Sequence, residues 1–218
     1  MVPTTKNALR QTLLSRLGDL TPEQRQSETQ TLLGHLVSWT QTRSFDAVLA
    51  TLPLPGEPDL TPFLTQMLAA GVRVALARTG PGRSLGFRYV ESLDGPWEPR
   101  PYGLREPGLS APAWGPGPKT LVLVPGLGFA PAPGGGALRL GRGAGYYDRW
   151  LGSFGASVFA LGIGLSVQSL DSLPTEDHDR RLDGWLDPQG FHGFQVAQVT
   201  GPGSPPRRRK TAPPPDHR

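Results

Sequence analysis

The chain has 218 residues, enough for one α/β domain of ordinary size or two small ones. It contains no Cys, which excludes disulfides, thiolate metal sites and a cysteine nucleophile, and fits a reducing cytoplasm. Residues 201–218 hold five basic side chains against Asp216, while residues 1–200 balance 17 basic against 17 acidic, so the pI of 9.8 belongs to the tail and does not mark the domain as nucleic-acid-binding.

No charged-then-apolar leader stands at Met1–Leu20, and no apolar run nears ~18 residues, so neither secretion nor membrane insertion is expected and the cytoplasm is the expected location. The 29 Gly and 25 Pro gather in residues 81–82, 95–118, 130–136 and 201–215. Periodic segments survive between them, which predicts inflated loops on a folded frame.

Lys6–Leu17 places Leu9, Leu13 and Leu17 on one helical face. Lys6 and Arg10, four apart, share another face, either as two solvated charges or as a cationic pair offered to phosphate. Thr21-Pro22-Glu23-Gln24 is a helix start with a capping box, predicting a helix to about Thr40 that buries Leu32, Leu33, Leu36 and Val37. Ala47–Leu52 reads as a strand, and Glu57 follows at its carboxyl end, where α/β sheets bind ligands. Glu57 is a solvated turn residue or a substrate contact. A helix starts at Thr61-Pro62 and ends at Gly71. Strands follow at Val72–Ala77, Leu85–Val90 and Thr120–Val124, then a helix from Tyr146 to about Phe154, and strands at Ser157–Gly162 and Gly184–Leu186. This alternation predicts one three-layer αβα domain over residues 1–200 with a mostly parallel central sheet, its edges open to mixed pairing. From Gly201 on the composition cannot support a core, and a disordered basic, proline-rich tail is expected.

The stretch that carries chemistry is residues 121–151. The apolar run Leu121–Val124 ends in Pro125-Gly126, as a buried parallel strand should. After a Gly/Pro/Ala loop comes Arg139-Leu-Gly-Arg-Gly-Ala-Gly-Tyr-Tyr-Asp148, leading into a helix. Gly141, Gly143 and Gly145 permit positive φ and close approach of a ligand. Backbone amides at a helix start, beside Arg139 and Arg142, make an anion site, and Asp148 is placed to hold a metal ion. The order suits a nucleotide phosphate with Mg²⁺, although Gly-x-Gly-x-Gly is neither the dinucleotide fingerprint nor a P-loop. A flexible, arginine-solvated loop is the plain alternative. The acidic loop Leu173–Asp183 contains His178 and Asp179, a suggestive but not specific cation site.

Together these residues resemble the 5-formyltetrahydrofolate cyclo-ligase (5,10-methenyltetrahydrofolate synthetase) family. Arg139–Asp148 following Val-Pro-Gly-Leu-Gly-Phe129 carries the likeness. Lys6-Asn-Ala-Leu-Arg10, Glu57, Tyr102-Gly-Leu-Arg-Glu-Pro107 and Leu173-Pro-Thr-Glu-Asp-His-Asp179 with Asp183 extend it in family order over roughly residues 6–187. The resemblance implies an ATP- and Mg²⁺-dependent closure of 5-formyltetrahydrofolate to 5,10-methenyltetrahydrofolate through phosphorylation of the formyl oxygen. It implies that Lys6, Arg10, Arg139 and Arg142 hold ATP phosphates, with Gly141, Gly143, Ala144, Gly145, Tyr146 and Tyr147 forming the cradle. Asp148 and Asp179 would hold Mg²⁺. Leu52, Glu57, Tyr102, Tyr146 and Tyr147 would contact the folate, and Arg142 and Tyr147 carry over as the catalytic pair. No membrane partner is implied, and the tail offers at most weak nucleic-acid contact.

Three departures stand out. Ala144 replaces the family lysine, a contact worth on the order of 1.5–3 kcal/mol, or about 10–150-fold in binding unless Arg139 or Arg142 compensates. Ala130 stands where the family usually has Asp, and Ala77-Arg78 replaces a Pro-Arg strand end. The first departure leaves a non-catalytic nucleotide- or folate-binding relative as the alternative. A nucleic-acid-binding role through Arg207–Lys210 and a sugar-phosphate enzyme on a related fold are further alternatives, the latter lacking an evident acid/base pair.

Overall fold

The computed structural model describes residues 5–176 and 178–193; the expected tail lies outside them. Helix α1 (Lys6–Asp19) starts at Thr5, whose hydroxyl accepts from the Ala8 amide at 3.3 Å, and buries Leu9, Leu13 and Leu17. Helix α2 (Pro22–Gln41) carries the expected capping box: the Thr21 hydroxyl accepts from the Gln24 amide, and the Gln24 side chain accepts from the Thr21 amide. Leu32 and Leu36 are fully buried, whereas Leu33 and Val37 are only partly so, and Trp39 takes their place in the core.

Strand β1 (Ala47–Ala50) is buried throughout, and helix α3 (Thr61–Ala69) stops just before Gly71, which turns the chain at φ +79°. Strands β2 (Arg73–Gly80) and β3 (Ser84–Val90) form a hairpin. The short strands β4 (Glu98–Pro99) and β5 (Arg105–Glu106) pair with each other. Strand β6 (Thr120–Pro125) is followed by β7 (Gly128–Pro131), β8 (Ala137–Leu140) and helix α4 (Tyr146–Phe154). Strands β9 (Phe159–Ile163), β10 (Gly184–Asp187) and β11 (Gly190–Gly193) complete the described chain.

The main sheet has the order β11-β10-β9-β6-β1-β2-β3. The five inner strands are parallel, and the outer two, β3 and β11, run antiparallel, so the sheet is mixed at its edges as expected. Alternation along each strand splits the core between two faces. Val48, Ala50, Leu121 and Leu123 meet α2 and α3 on one face; Ala47, Leu49, Val122 and Val124 meet α4 and Phe129 on the other. A third cluster joins Leu9, Leu13 and Leu17 of α1 to Leu127, Ala130, Leu138 and Leu140 of the β7–β8 hairpin. Ala130, at the position where the family usually has Asp, is a fully buried core residue here. Among the described residues no helix is long and apolar enough to cross a membrane.

The expected loop between Phe129 and Arg139 is instead the β7–β8 hairpin, turned by Gly134, Gly135 and Gly136, all at positive φ. Its strands are short and rich in Ala, Pro and Gly, so they carry little strand signal. What fixes the hairpin to the sheet is Phe129. A Cβ built on Gly162 would come within 2.5 Å of its ring, one on Gly126 within 2.7 Å and one on Gly164 within 2.9 Å. The ring occupies the space that side chains would take on three residues at the carboxyl ends of β6 and β9.

Gly162→Ala therefore forces the ring out of its seat and should destabilise the protein by roughly 1–3 kcal/mol, the scale of core overpacking. Phe129→Leu in the same chain should recover part of that loss. Urea denaturation checks both, and an unchanged midpoint for Gly162→Ala would show that glycine is not required there.

Candidate active site

The two halves of the site come from opposite sides of one crevice. From β1 the sheet extends through β2 in one direction, and from β6 through β9 and β10 in the other, so the strand order reverses between β1 and β6. Ligands of open α/β sheets bind outside the carboxyl ends of strands at such a point. Glu57 follows β1 and Arg142 follows β8. They meet here: Arg142 donates to Glu57 Oε1 from Nη2 at 2.9 Å and from Nε at 3.2 Å. The other Glu57 oxygen accepts from the Leu54 amide at 3.1 Å, which folds the loop on itself.

Arg139 pairs with Phe129 across the hairpin, and its stem lies beside the Phe129 ring over Gly126. Its side chain is only 5% exposed. Its Nη1 donates to the Pro125 carbonyl and its Nη2 to Asp148 Oδ2 at 3.0 Å, while Nε is buried with no partner among the described residues. The guanidinium lies 5.4 Å from the centre of the Tyr147 ring. From α1, Lys6 reaches both oxygens of Asp179, at 2.8 and 2.7 Å, and Glu176 at 3.2 Å; Arg10 Nε donates to the Gly141 carbonyl at 2.9 Å. Burial alone would raise the Asp179 pKa, but the Lys6 ammonium and the Glu176 amide outweigh it and hold the carboxyl below its usual range.

Lys6, Arg10, Arg139, Gly141, Gly143, Gly145, Asp148 and Asp179, separated by up to 173 positions in sequence, thus line one cavity of about 210 Å³. Gly143 and Gly145 take φ of +102° and +69°, as the glycine pattern predicted; Gly141 does not, and serves instead by close approach, since a Cβ there would lie 2.8 Å from Arg139. Glu176, His178 and Asp179 form the one group of potential metal ligands found among the described residues. A second cavity, of about 580 Å³, adjoins the first and shares Glu176 and Asp179 with it.

Other expected site residues are placed differently. Leu52 turns its side chain into the core cluster of α2 and α3, leaving its main chain for any contact with a ligand. Tyr147 is buried, and its hydroxyl has no hydrogen bond of good geometry, although Thr51 and Glu57 lie near it. Burial raises its pKa well above the usual phenol value, with Arg139 opposing and Glu57 adding to the rise, so the hydroxyl is a neutral donor. Tyr146 and Ala144 are half-buried on the same turn. Tyr102 sits in a single 3₁₀ turn, Pro101–Gly103, between β4 and β5.

Several supporting residues escaped the sequence reading. Arg78, 8% exposed, donates to Glu98 Oε2 at 2.8 Å and to the Pro107 carbonyl; Thr79 and Arg100 both donate to the buried Glu106. They fasten the Tyr102 segment to the carboxyl end of β2. Arg25 of α2 donates to the carbonyls of Gly56 and Leu17, both at 2.7 Å, and so ties the Glu57 loop to α1. Gln168 bonds Gly126 and Leu165. Only the buried acid of Glu-Pro107 and the strand-end Arg78 gave any signal in the sequence.

A protein named 5-formyltetrahydrofolate cyclo-ligase from Mycolicibacterium smegmatis is 32% identical over 196 residues, covering 87% of this chain and 96% of that protein. The solved structure of Aquifex aeolicus 5,10-methenyltetrahydrofolate synthetase has the same fold, with a TM-score of 0.70 at 24% identity, covering 90% of this chain and 96% of that one. A 5,10-methenyltetrahydrofolate synthetase from Mycoplasma pneumoniae gives 0.68 at 22% identity, covering 85% and 99%. With the family model itself matching residues 2–188, the chain belongs to the 5-formyltetrahydrofolate cyclo-ligase family.

Proposed function

We propose that this chain closes 5-formyltetrahydrofolate to 5,10-methenyltetrahydrofolate, consuming ATP and releasing ADP and phosphate. The observation that carries the reading is the convergence of Lys6, Arg10, Arg139 and the glycine turn on one cavity that also holds Asp148 and Asp179, in a chain of this family.

The chemistry asks for positioning and charge neutralisation rather than a protein nucleophile. The formyl oxygen attacks the γ-phosphorus and ADP leaves. Folate nitrogen 10 then attacks the activated carbon, loses its proton, and expels phosphate as the ring closes. Lys6, Arg10 and Arg139 bind the phosphates, and the amides of residues 143–146 receive their oxygens at the start of α4. The buried Arg139 Nε and Tyr147 hydroxyl, both without partners among the described residues, suit a bound ligand that supplies acceptors. Tyr147, neutral because it is buried, donates a hydrogen bond and takes no part as a base. Glu57, held by Arg142, faces the folate at the crevice.

Glu176, His178 and Asp179 bring their ligand atoms together and would suit a divalent cation, while Asp148 lines the same cavity outside that group; Mg²⁺ held there would neutralise charge on the transferring phosphoryl group. Each carboxylate assigned to the metal is paired with a cation assigned to phosphate: Asp179 with Lys6, Asp148 with Arg139. Nucleotide binding is therefore an exchange of partners, in which Lys6 and Arg139 turn from carboxylate to phosphate.

Methenyl absorbance should rise when the chain is mixed with 5-formyltetrahydrofolate, ATP and Mg²⁺, and not when either ATP or Mg²⁺ is left out. Nucleotide binding without product would instead support the non-catalytic alternative. Lys6→Met should raise the KM for ATP by roughly 10-fold or more. In calorimetry without nucleotide it should tighten binding of Mg²⁺, because Asp179 loses its competing ammonium; weaker binding would refute the exchange. The same variant tests the pH dependence. A carboxyl with a lowered folded pKa stabilises fully above its unfolded value and loses that contribution as pH falls through the folded one. The stability gap between wild type and Lys6→Met should thus be present at pH 7 and vanish in acid below the ordinary Asp range.

A further inference from the structure

Position 144 is where the resemblance expects a lysine and this chain has alanine. Two arginines from other elements meet there. Arg149, in the first turns of α4, donates from a single nitrogen to the carbonyl of Ala144 and to that of Arg83, both at 2.9 Å. Its other terminal nitrogen lies against Gly145, where a Cβ would approach to 2.7 Å, and Gly145 itself takes a φ of +69°, which favours glycine. The guanidinium is 5.8 Å from the centre of the Tyr146 ring. Arg149 is thus committed to holding the turn.

Arg83 lies at the tip of the β2–β3 hairpin, beyond the carboxyl end of β2 and so on the ligand side of the parallel sheet. It is the one non-glycine residue among those described with φ in the left-handed region, at +58°. An arginine in that conformation is strained, and such strain persists where neighbouring structure imposes it. The bond from Arg149 to the Arg83 carbonyl is a contact that can do so. The Arg83 side chain is exposed and makes no hydrogen bond or ion pair among the described residues, although it starts beside a turn read as a triphosphate cradle.

We infer that Arg83 supplies the phosphate-binding cation that position 144 lacks, and that Arg149 is the positioning residue that brings the hairpin tip to the glycine turn. The inference rests on the reading of that turn as a nucleotide site. An arginine suits the role: it is always charged and offers several donors to phosphate oxygens.

The test compares wild type with Arg83→Gln, Arg149→Lys, Ala144→Lys and the Arg83→Gln/Ala144→Lys double variant. Readouts are the KM values for ATP and for folate, and calorimetric binding of inorganic tripolyphosphate to the full chain. Arg83→Gln should raise the ATP KM and the tripolyphosphate Kd roughly 10–100-fold, the scale of one charge-assisted contact, while the folate KM and Tm stay unchanged. Arg149→Lys keeps a charge but loses the second terminal nitrogen that seats the guanidinium against Gly145, and should weaken tripolyphosphate binding in the same direction. Ala144→Lys should bring the tripolyphosphate Kd of Arg83→Gln back toward the wild-type value. Tripolyphosphate binding to Arg83→Gln that equals wild type would overturn the inference, as would a large gain from Ala144→Lys alone. A wild-type chain that forms no methenyl product yet binds tripolyphosphate through Arg83 would overturn the proposed function and leave the inference standing. Cyclisation undisturbed in Arg83→Gln would do the reverse, and a wild-type chain that binds no tripolyphosphate would overturn both.

Discussion

The seating of one aromatic ring against three glycines governs the rest of the molecule. Phe129 lies where Gly126, Gly162 and Gly164 have no side chains, and it is fully buried. That contact sets the register of the β7–β8 hairpin on the sheet. Because Phe129 and Arg139 are direct partners across the hairpin, the same contact fixes Arg139 beneath the glycine turn. A buried arginine needs its position defined by packing, because its charge is tolerated only where a carboxylate meets it in good geometry. Asp148 meets it from the first turn of α4, where a carboxylate also complements the helix dipole. Packing, ion pair and helix start are therefore one structure. A change at any of the three glycines would be felt at the site through Arg139.

The hairpin also explains how a helix from the start of the chain enters the site. Leu9, Leu13 and Leu17 pack on its outer side, against Leu127, Leu138 and Leu140. This docks α1 with Lys6 and Arg10 over the cavity rather than over the sheet. Hydrophobic spacing of four along α1 thus aims its charged face, with no binding energy required from the charges themselves.

Much of this was legible in the sequence. Helix α4 appears with the bounds its Gly-Tyr-Tyr-Asp start implied, the capping box at Thr21 forms, and the run Leu121–Val124 lies in the middle of the parallel sheet. These segments declare themselves locally, through periodicity or cap chemistry. The cationic pair of α1 and the Arg139–Asp148 motif were visible as chemistry, and they do share a cavity. What could not be read is long-range. The hairpin depends on Phe129 finding three glycines, two of which lie 33 and 35 positions later in the chain. Arg25, on a helix, resembles a solvated charge until the loop that it holds is in place. Leu52 was expected against the folate, but a leucine leaving a buried strand has a nearer partner in the core.

The balance of charge in the cavity links these structural facts to the chemistry. Among the described residues, Lys6, Arg10 and Arg139 face Asp148, Glu176 and Asp179, three cations against three carboxylates. Unpaired, Arg139 would be a charge with 5% exposure, costing several kcal/mol; paired, the site is stable while waiting for its ligand. A triphosphate that draws the cations to itself would leave three carboxylates facing a polyanion, and their repulsion would oppose the binding. A divalent cation arriving with the nucleotide would remove that repulsion. The ion pairs that steady the site alone are for this reason the ones that would make phosphate and metal bind together rather than separately, and on the proposed function the carboxylates of this cavity would join a binding role to their structural one.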